Sequence, residues 1–594
     1  MKDLAYLNKY FYKYRWYFGP GILFVIISNI FGVLPAQVIR VAFDLVTENI
    51  AIYRLYSGFN KQNLIYDIFG SSLLLFGVLV LVLALLRGMF LFFMRQTLIL
   101  MSRHIEYDLK NKIYQHYQEL SLAFYRRHST GDLMNRATED VSRVRMYLGP
   151  GIMYTANTVA VFVLTVSMML TVNVRLTLFS VFPLPILVLI IYYVNSIINF
   201  RSEKIQERLS ALSSFVQVTF SGIRVIKSYV REDFIRDSFT AESNSYKTHS
   251  MALVKVQAMF YPLMLLLIGV SNIIIMYVGG VEVMKGTVTP GNIAEFIVYL
   301  NQLTFPVIAL GWVTSLIQRA AASQKRINEF LHEKSEIIST GPAHLVSGQV
   351  VFDNVSFTYP ETGIQALKSV SFRAKPGEMV AIIGRTGSGK STIANLIMRM
   401  YDVDNGSILI DNKAVDQIDL ENYRSQIGFV PQEVFLFSDT IGRNIAFSAD
   451  VMDQPRVEQA AKDAAVYGNI IEFEEGFDTM IGERGITLSG GQKQRVSIAR
   501  AIFKQPQILI FDDCLSAVDT RTEEEILNNM GQIMNGKTSI IIAHRISTIK
   551  NADQILVLDQ GEIIERGNHD FLMQQKGAYF DLYEKQLLDE QENA

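Results

Sequence analysis

Cysteine is almost absent: Cys514 is the only one in 594 residues. An intramolecular disulfide is therefore excluded, and a lone thiol suits a reducing compartment. A surplus of either charge is missing too, since 55 Lys and Arg stand against 57 Asp and Glu for a formal net charge of −2. A nucleic-acid partner calls for a basic surplus or stripe, so that class of function is set aside. The basic start Lys2, Lys9, Lys13 and Arg15 leads into an apolar segment that runs on through Pro35 towards Arg40 with no small-residue cleavage site. That pattern argues against a secretory leader. No protease-like accessory segment precedes this first apolar run, which weighs against a peptide-processing role.

What is abundant is apolar side chain, 50% of the residues, concentrated before about residue 320. At 594 residues the chain exceeds what one core normally organises, so at least two domains are expected. Bilayer-length windows fall at 18–39, 69–94, 152–171, 176–197, 258–280 and 291–316. The start of the chain and the 201–255 stretch are rich in Lys and Arg, whereas the turns around Val172 and Gly286 are not. The positive-inside rule then places the N-terminus and the C-terminal domain in the cytoplasm, and the expected setting is a bacterial inner membrane. The segments after spans two and four are too long and charged for simple turns. Ile105, Leu109 and Ile113 sit at helical spacing, so both segments read as helical arms. A helix extended by about 25 residues reaches nearly 40 Å beyond the membrane. Each arm is expected to reverse near its middle, at Ser129-Thr130-Gly131-Asp132 and at Ser221-Gly222.

The expected architecture is multidomain. A six-helix α-helical transmembrane domain with long cytoplasmic helical extensions occupies residues 1–325, and a linker occupies 326–345. An α/β P-loop nucleotide-binding domain occupies 346–583, and a polar tail occupies 584–594.

The strongest local signal is Gly384-Arg385-Thr386-Gly387-Ser388-Gly389-Lys390-Ser391, with Thr392 next in the helix it opens. It satisfies GxxxxGK[ST] and follows the apolar run Met379 to Ile383, giving strand, glycine-rich loop and helix in the required order. Glycines let backbone N–H groups turn inward on phosphate oxygens, and the helix adds its positive end. Lys390 is expected on the β- and γ-phosphates of ATP, and the Ser391 hydroxyl on Mg²⁺. Gln507 to Asp512 is an apolar strand ending in a carboxylate, the expected second holder of Mg²⁺.

Leu488-Ser489-Gly490-Gly491-Gln492, followed by Lys493-Gln494-Arg495, lies shortly before that strand and resembles the signature of ATP-binding-cassette (ABC) proteins. The resemblance covers essentially the whole chain. Six spans followed by one cassette are similar to the exporter branch that includes multidrug and lipid-flipping half-transporters. It implies that Tyr359 stacks on adenine, that Gln432 senses Mg²⁺, and that His544 sits near the γ-phosphate. It also implies an X-loop at Gly482 to Gly485, a D-loop at Ser516 to Asp519, and coupling helices near 124–136 and 221–232. Two cassettes clasp two ATP molecules in such proteins, so a second half-transporter is an implied partner. Ser489, Gly490, Gly491 and Gln492 would then complete the partner's site.

One position departs from the pattern. Where the resemblance implies a glutamate beside the attacking water, this chain has Asp513, one methylene shorter. A general base must lie within hydrogen-bond reach of its proton, and an error of about 1 Å can cost a hundredfold. The expectation is a slow site of its own, an intact signature, and a heterodimer with a glutamate-bearing chain. The alternatives are a homodimer that uses Asp513, and an ATP-gated channel or regulatory subunit. Arg40, Arg87 and Arg95 fall within or beside apolar windows. An unpaired charge costs at least about 2.5 kcal/mol at mid-bilayer, so a water-filled cavity, an acidic partner or headgroups are expected around them. Arg87 is the expected contact for an amphiphilic drug, lipid or peptide carrying negative charge.

Overall fold

The computed structural model describes residues 2–55, 61–339, 341–482, 488–514, 531, 533–534 and 536–593. Contacts divide the chain into two compact units, Met1–Tyr117 with Gly131–His332, and Gln118–Thr130 with Glu333–Ala594. A segment of only thirteen residues, Gln118–Thr130, is thus built into the C-terminal unit although it lies between membrane-length helices.

The first unit is helical. In chain order its main elements are α1 (Arg15–Leu55) and α2 (Lys61–Glu119), then, beyond the short α3 (Leu122–Arg127) of the other unit, α4 (Thr130–Asn135). They continue with α5 (Ile152–Val172), α6 (Val174–Val181), α7 (Pro183–Ser221), α8 (Ile223–Ser228), α9 (Glu232–Met284) and α10 (Pro290–His332). Among the described residues six helical stretches are long and apolar enough to cross a membrane, and each expected window falls inside one of them. α2 and α9 continue far past the windows. At 59 and 53 residues they extend about 90 and 80 Å, against a hydrocarbon thickness of about 30 Å. Ile105, Leu109 and Ile113 are all buried, as the helical spacing requires.

The reversals differ from expectation in detail. The short helix at the first reversal is Leu122–Arg127, flanked by extended Ser121 and His128. Ser129-Thr130-Gly131-Asp132 does not mark its centre, because Thr130 already opens α4 with Asp132 in its first, dipole-favoured turn. At the second, Gly222 separates α7 from α8, and the helical part of the 221–232 segment is Ile223–Ser228. α10 runs to His332 with Ile327 and Phe330 buried, so the 326–345 segment begins as helix. Residues 584–593 continue a helix that starts at Ala578.

The apolar core of this unit gathers Val33, Leu176, Ile275, Phe296, Tyr299 and Leu303. One carboxylate is enclosed with it: Glu295, 0% exposed, accepts from Tyr299 Oη at 2.9 Å and Asn292 Nδ2 at 3.1 Å, and lies 3.5 Å from Arg40 Nη1. Arg40 is therefore part of a structural ion pair. Arg87 lies against Gly32, where an added Cβ would sit 3.1 Å from its Nε.

The second unit is α/β. Strand β1 (Val350–Thr358) pairs antiparallel with β2 (Gln365–Ala374) and β4 (Asn405–Ile410), and β5 (Lys413–Ala414) completes this sheet in the order β2-β1-β4-β5. The second sheet runs β10-β9-β3-β8-β7-β6, with β3 (Met379–Gly384), β6 (Ile427–Val430), β7 (Ile508–Asp512), β8 (Thr538–Ile542), β9 (Gln554–Asp559) and β10 (Glu562–Gly567). All its pairs are parallel except the β9–β10 edge. Both faces of the parallel strands are covered, which is why β3, β7 and β8 read as continuous apolar runs without alternation.

Candidate nucleotide-binding site

Sheet order alone brings the key residues together. β8 lies between β3 and β7, so the loop after β3 and the carboxylates after β7 are two strand spacings apart, about 10 Å. His544 follows β8 between them. All three strands point their carboxyl ends the same way, which is where open parallel sheets hold ligands.

The loop after β3 is shaped by backbone freedom that only glycine supplies. Gly389 has φ +101°, and a Cβ there would run into the Ala366 carbonyl oxygen. It caps α11 (Lys390–Ile397), whose N-terminus faces the same space. Lys390 is buried and donates from Nζ to the carbonyl oxygens of Gly384 and Arg385, both at 2.9 Å. Burial pushes its ammonium below the usual lysine range. Ser391 Oγ donates to Asp512 Oδ1 at 2.9 Å, and burial pushes the Asp512 carboxyl above its ordinary range. A cation that accepts oxygen ligands from both would relieve that penalty. Ser388 Oγ is buried without a hydrogen-bond partner among the described residues.

Asp513 stands at φ +46°, a left-handed conformation that carboxylate and amide side chains tolerate better than most. Its N–H donates to Ile542 O at 2.9 Å, its Oδ2 accepts from Gln432 Nε2 at 3.2 Å, and His544 Nε2 lies 4.0 Å from the same oxygen. The side chains that follow β6, β7 and β8 thus meet at one carboxylate. Cys514 beside it is buried, which pushes its thiol well up and makes it inert.

Tyr359 lies just past β1, its ring 5.0 Å from that of Phe357 and 5.4 Å from that of Tyr401. Its hydroxyl is 3.0 Å from Thr392 Oγ1, which ties the aromatic to α11. Arg126 of α3 places its guanidinium 5.5 Å from the centre of the Tyr359 ring and 5.9 Å from that of Tyr401. Beneath it Ala123 and Phe124 are buried. Cation–π contacts of this kind contribute about 0.5–2 kcal/mol. Sequence reasoning missed Arg126 as a neighbour of the aromatic, because more than two hundred residues separate them.

Tyr359, the loop residues Thr386 to Thr392, Gln432, Asp512, Asp513 and His544 line one cleft of 540 Å³. Gly384 and Arg385 stand behind it as acceptors for Lys390. The signature residues are not in its lining. Ser489 instead caps α12 (Gly490–Phe503) in a reciprocal capping box: its Oγ accepts from Gln492 N, and its N–H donates to Gln492 Oε1 at 3.0 Å. Gly490 is exposed, with nothing within 4 Å of a built Cβ. Most of the X-loop and all of the D-loop expected from sequence lie outside the described residues.

A lysine-bearing loop at a helix N-terminus, a buried Ser–Asp pair and an adjoining carboxylate define a nucleoside-triphosphate-hydrolysing domain, here joined to six membrane-crossing helices. Residues 18–307 match the ABC transporter transmembrane region family, and residues 367–516 match the ABC transporter family. The chain is 36% identical over 99% of its length to the multidrug resistance-like ATP-binding protein MdlA of Escherichia coli (strain K12), covering 97% of that protein. It is 37% identical over 80% of its length to the ATP-dependent lipid A-core flippase of Pseudomonas fluorescens (strain Pf0-1), covering 80% of it. A bacterial Atm1-family ABC exporter with ATP bound superposes with a TM-score of 0.77 at 28% identity, covering 96% of this chain and 99% of that one. The chain belongs to the ABC transporter family: it is an integral membrane, ATP-hydrolysing half-transporter of the exporter type.

Proposed function

We propose that this chain is the unequal half of a heterodimeric exporter, with its N-terminus and cassette in the cytoplasm and an amphiphilic drug, lipid or peptide as cargo. The observation that carries this reading is Asp513, the shorter carboxylate, at the meeting point of Gln432 and His544 beside an otherwise complete cleft. Its carboxylate falls short of the attacking water's position, so the site binds ATP and turns it over slowly. Ser489 and Gly490, outside this cleft, complete the faster site on the partner.

Within the cleft, Tyr359 stacks on the base, and Lys390 leaves its carbonyl acceptors to meet phosphate oxygens. Ser391, Asp512 and Gln432 are the residues that would hold Mg²⁺, and the buried Ser391–Asp512 oxygen pair fits such an ion. The ion would supply positive charge between the β- and γ-phosphates. ATP clasped by two cassettes stabilises their closure, hydrolysis releases it, and the spans alternate between inward and outward access. The presence of His544 within 4.0 Å of Asp513 favours a second reading, a homodimer in which Asp513 serves as base.

Inside-out vesicles holding the assembled complex test the export reading. ATP should drive uphill accumulation of a fluorescent amphiphile, with collapse on adding vanadate. Equilibration that stops at equal concentrations, gated by ATP binding alone, would point to a channel instead.

A further inference from the structure

We propose that the space between α7 and α10 is a binding site for the head of an uncharged, hydrogen-bonding amphiphile, a hydroxyl- or carbonyl-bearing lipid-like molecule. The inference rests on the export reading for its biological use but not for its existence as a site.

The cavity measures 420 Å³, a volume suited to a small ligand or a headgroup. Its polar lining comes from Asn195, Ser196 and Asn199 on α7 and from Thr314, Ser315 and Gln318 on α10. The amides of Asn195, Asn199 and Gln318 take no hydrogen-bond partner among the described residues. Room for one of them is built in: a Cβ on Gly311 would overlap the Asn195 amide, so glycine is what lets that side chain stand in the gap.

The lining is graded along both helices. On α7 it passes from Val188 and Ile191 to Asn195 and Asn199, and on α10 from Leu310 to Gln318. Both lists keep the spacing of one helix face. In the proposed orientation both helices start at the outer side. Counted from Val174, where α6 leads into α7, and from Pro290 of α10, Asn195 and Gly311 then lie about 30 Å along, one hydrocarbon thickness, and Gln318 about 10 Å further. The apolar end thus faces the membrane interior and the amide end the inner interface. A molecule drawn from the inner leaflet would enter tail-outward with its head among the amides.

Charge narrows the ligand class. No Lys, Arg, Asp or Glu lines the cavity. An anion or cation would find no counter-charge in this lining, whereas amides both donate to carbonyls and accept from hydroxyls. Arg87, the cargo contact expected from sequence, is not in this lining.

The test uses the full chain in phosphatidylcholine vesicles without nucleotide, photolabelled with a diazirine-tailed monoacylglycerol or with the same acyl chain on anionic lysophosphatidylglycerol. Peptides covering 188–199 and 310–318 should take the neutral probe at least fivefold more than the anionic one. The double substitution Asn195→Leu with Gln318→Leu should lower that labelling at least fivefold. Gly311→Ala, which displaces the Asn195 amide while adding one methyl group, should lower it in the same direction. Equal or stronger labelling by the anionic probe, or labelling within twofold of the unsubstituted chain in both variants, would overturn the proposal. Vesicles that label as expected but move nothing on addition of ATP would instead sink the export reading and leave the site standing.

Discussion

Gly490→Asp should nearly abolish ATPase activity of the assembled transporter, by a hundredfold or more, while leaving the chain's own thermal stability unchanged. The position is exposed and a side chain there meets nothing within 4 Å, so the chain by itself accommodates the substitution. An aspartate in the first turn of α12 even complements the helix dipole, by about 0.3–1 kcal/mol. What it disturbs is outside the chain. In the proposed assembly the Gly490 and Gly491 N–H groups, which the capping box leaves uncommitted, would be the donors for the phosphate held by the partner, and a negative charge beside the γ-phosphate would replace attraction by repulsion. Removing one preorganised donor commonly costs 10²–10³ in turnover, and adding a like charge costs more. Vanadate-sensitive phosphate release and a melting curve on the same preparation check both halves of the statement. Retained turnover would mean that the signature completes no working site.

Asp513→Glu should raise turnover at this chain's own site about fivefold to tenfold, read in complexes whose partner site is silenced by Gly490→Asp. The added methylene carries the carboxylate about 1 Å further into the cleft, and errors of that size cost about a hundredfold where a base must reach a water. The full hundredfold is not expected. Glu at φ +46° is less comfortable than Asp, and the Gln432 and His544 contacts of the present carboxylate must be remade. Asp513→Asn is the companion variant: a slow site loses little by it, whereas a homodimer that depends on Asp513 loses nearly everything. Steady-state ATPase of the two variants side by side therefore separates the two assemblies.

The engine was legible in the sequence because its chemistry is local. Gly384 to Ser391 is one contiguous stretch whose glycines, lysine and hydroxyl each have a stated duty, and Asp512 is marked by the apolar strand it ends. The buried line Ile105, Leu109 and Ile113 was legible for a similar reason, since helical periodicity survives without tertiary information. What stayed hidden depends on packing between distant segments. The ion pair of Arg40 with Glu295 joins residues 255 apart, and Arg126 meets Tyr359 only because α3 is built into the C-terminal unit. Helix limits were also misplaced around Ser129 to Asp132, where residues that favour turns equally favour helix starts. The proposed ligand site between α7 and α10 was the least legible feature. Uncharged amides such as Asn195 and Gln318 look unremarkable in an apolar segment, while an isolated arginine draws attention whether or not it touches cargo.

Asymmetry of the assembly is read from the native mass of the complex extracted from its own membranes. The expected result is a one-to-one assembly of this 67.2 kDa chain with a different half-transporter carrying glutamate at the position of Asp513. A stable, ATP-hydrolysing assembly of two identical copies, with no second chain, would contradict it.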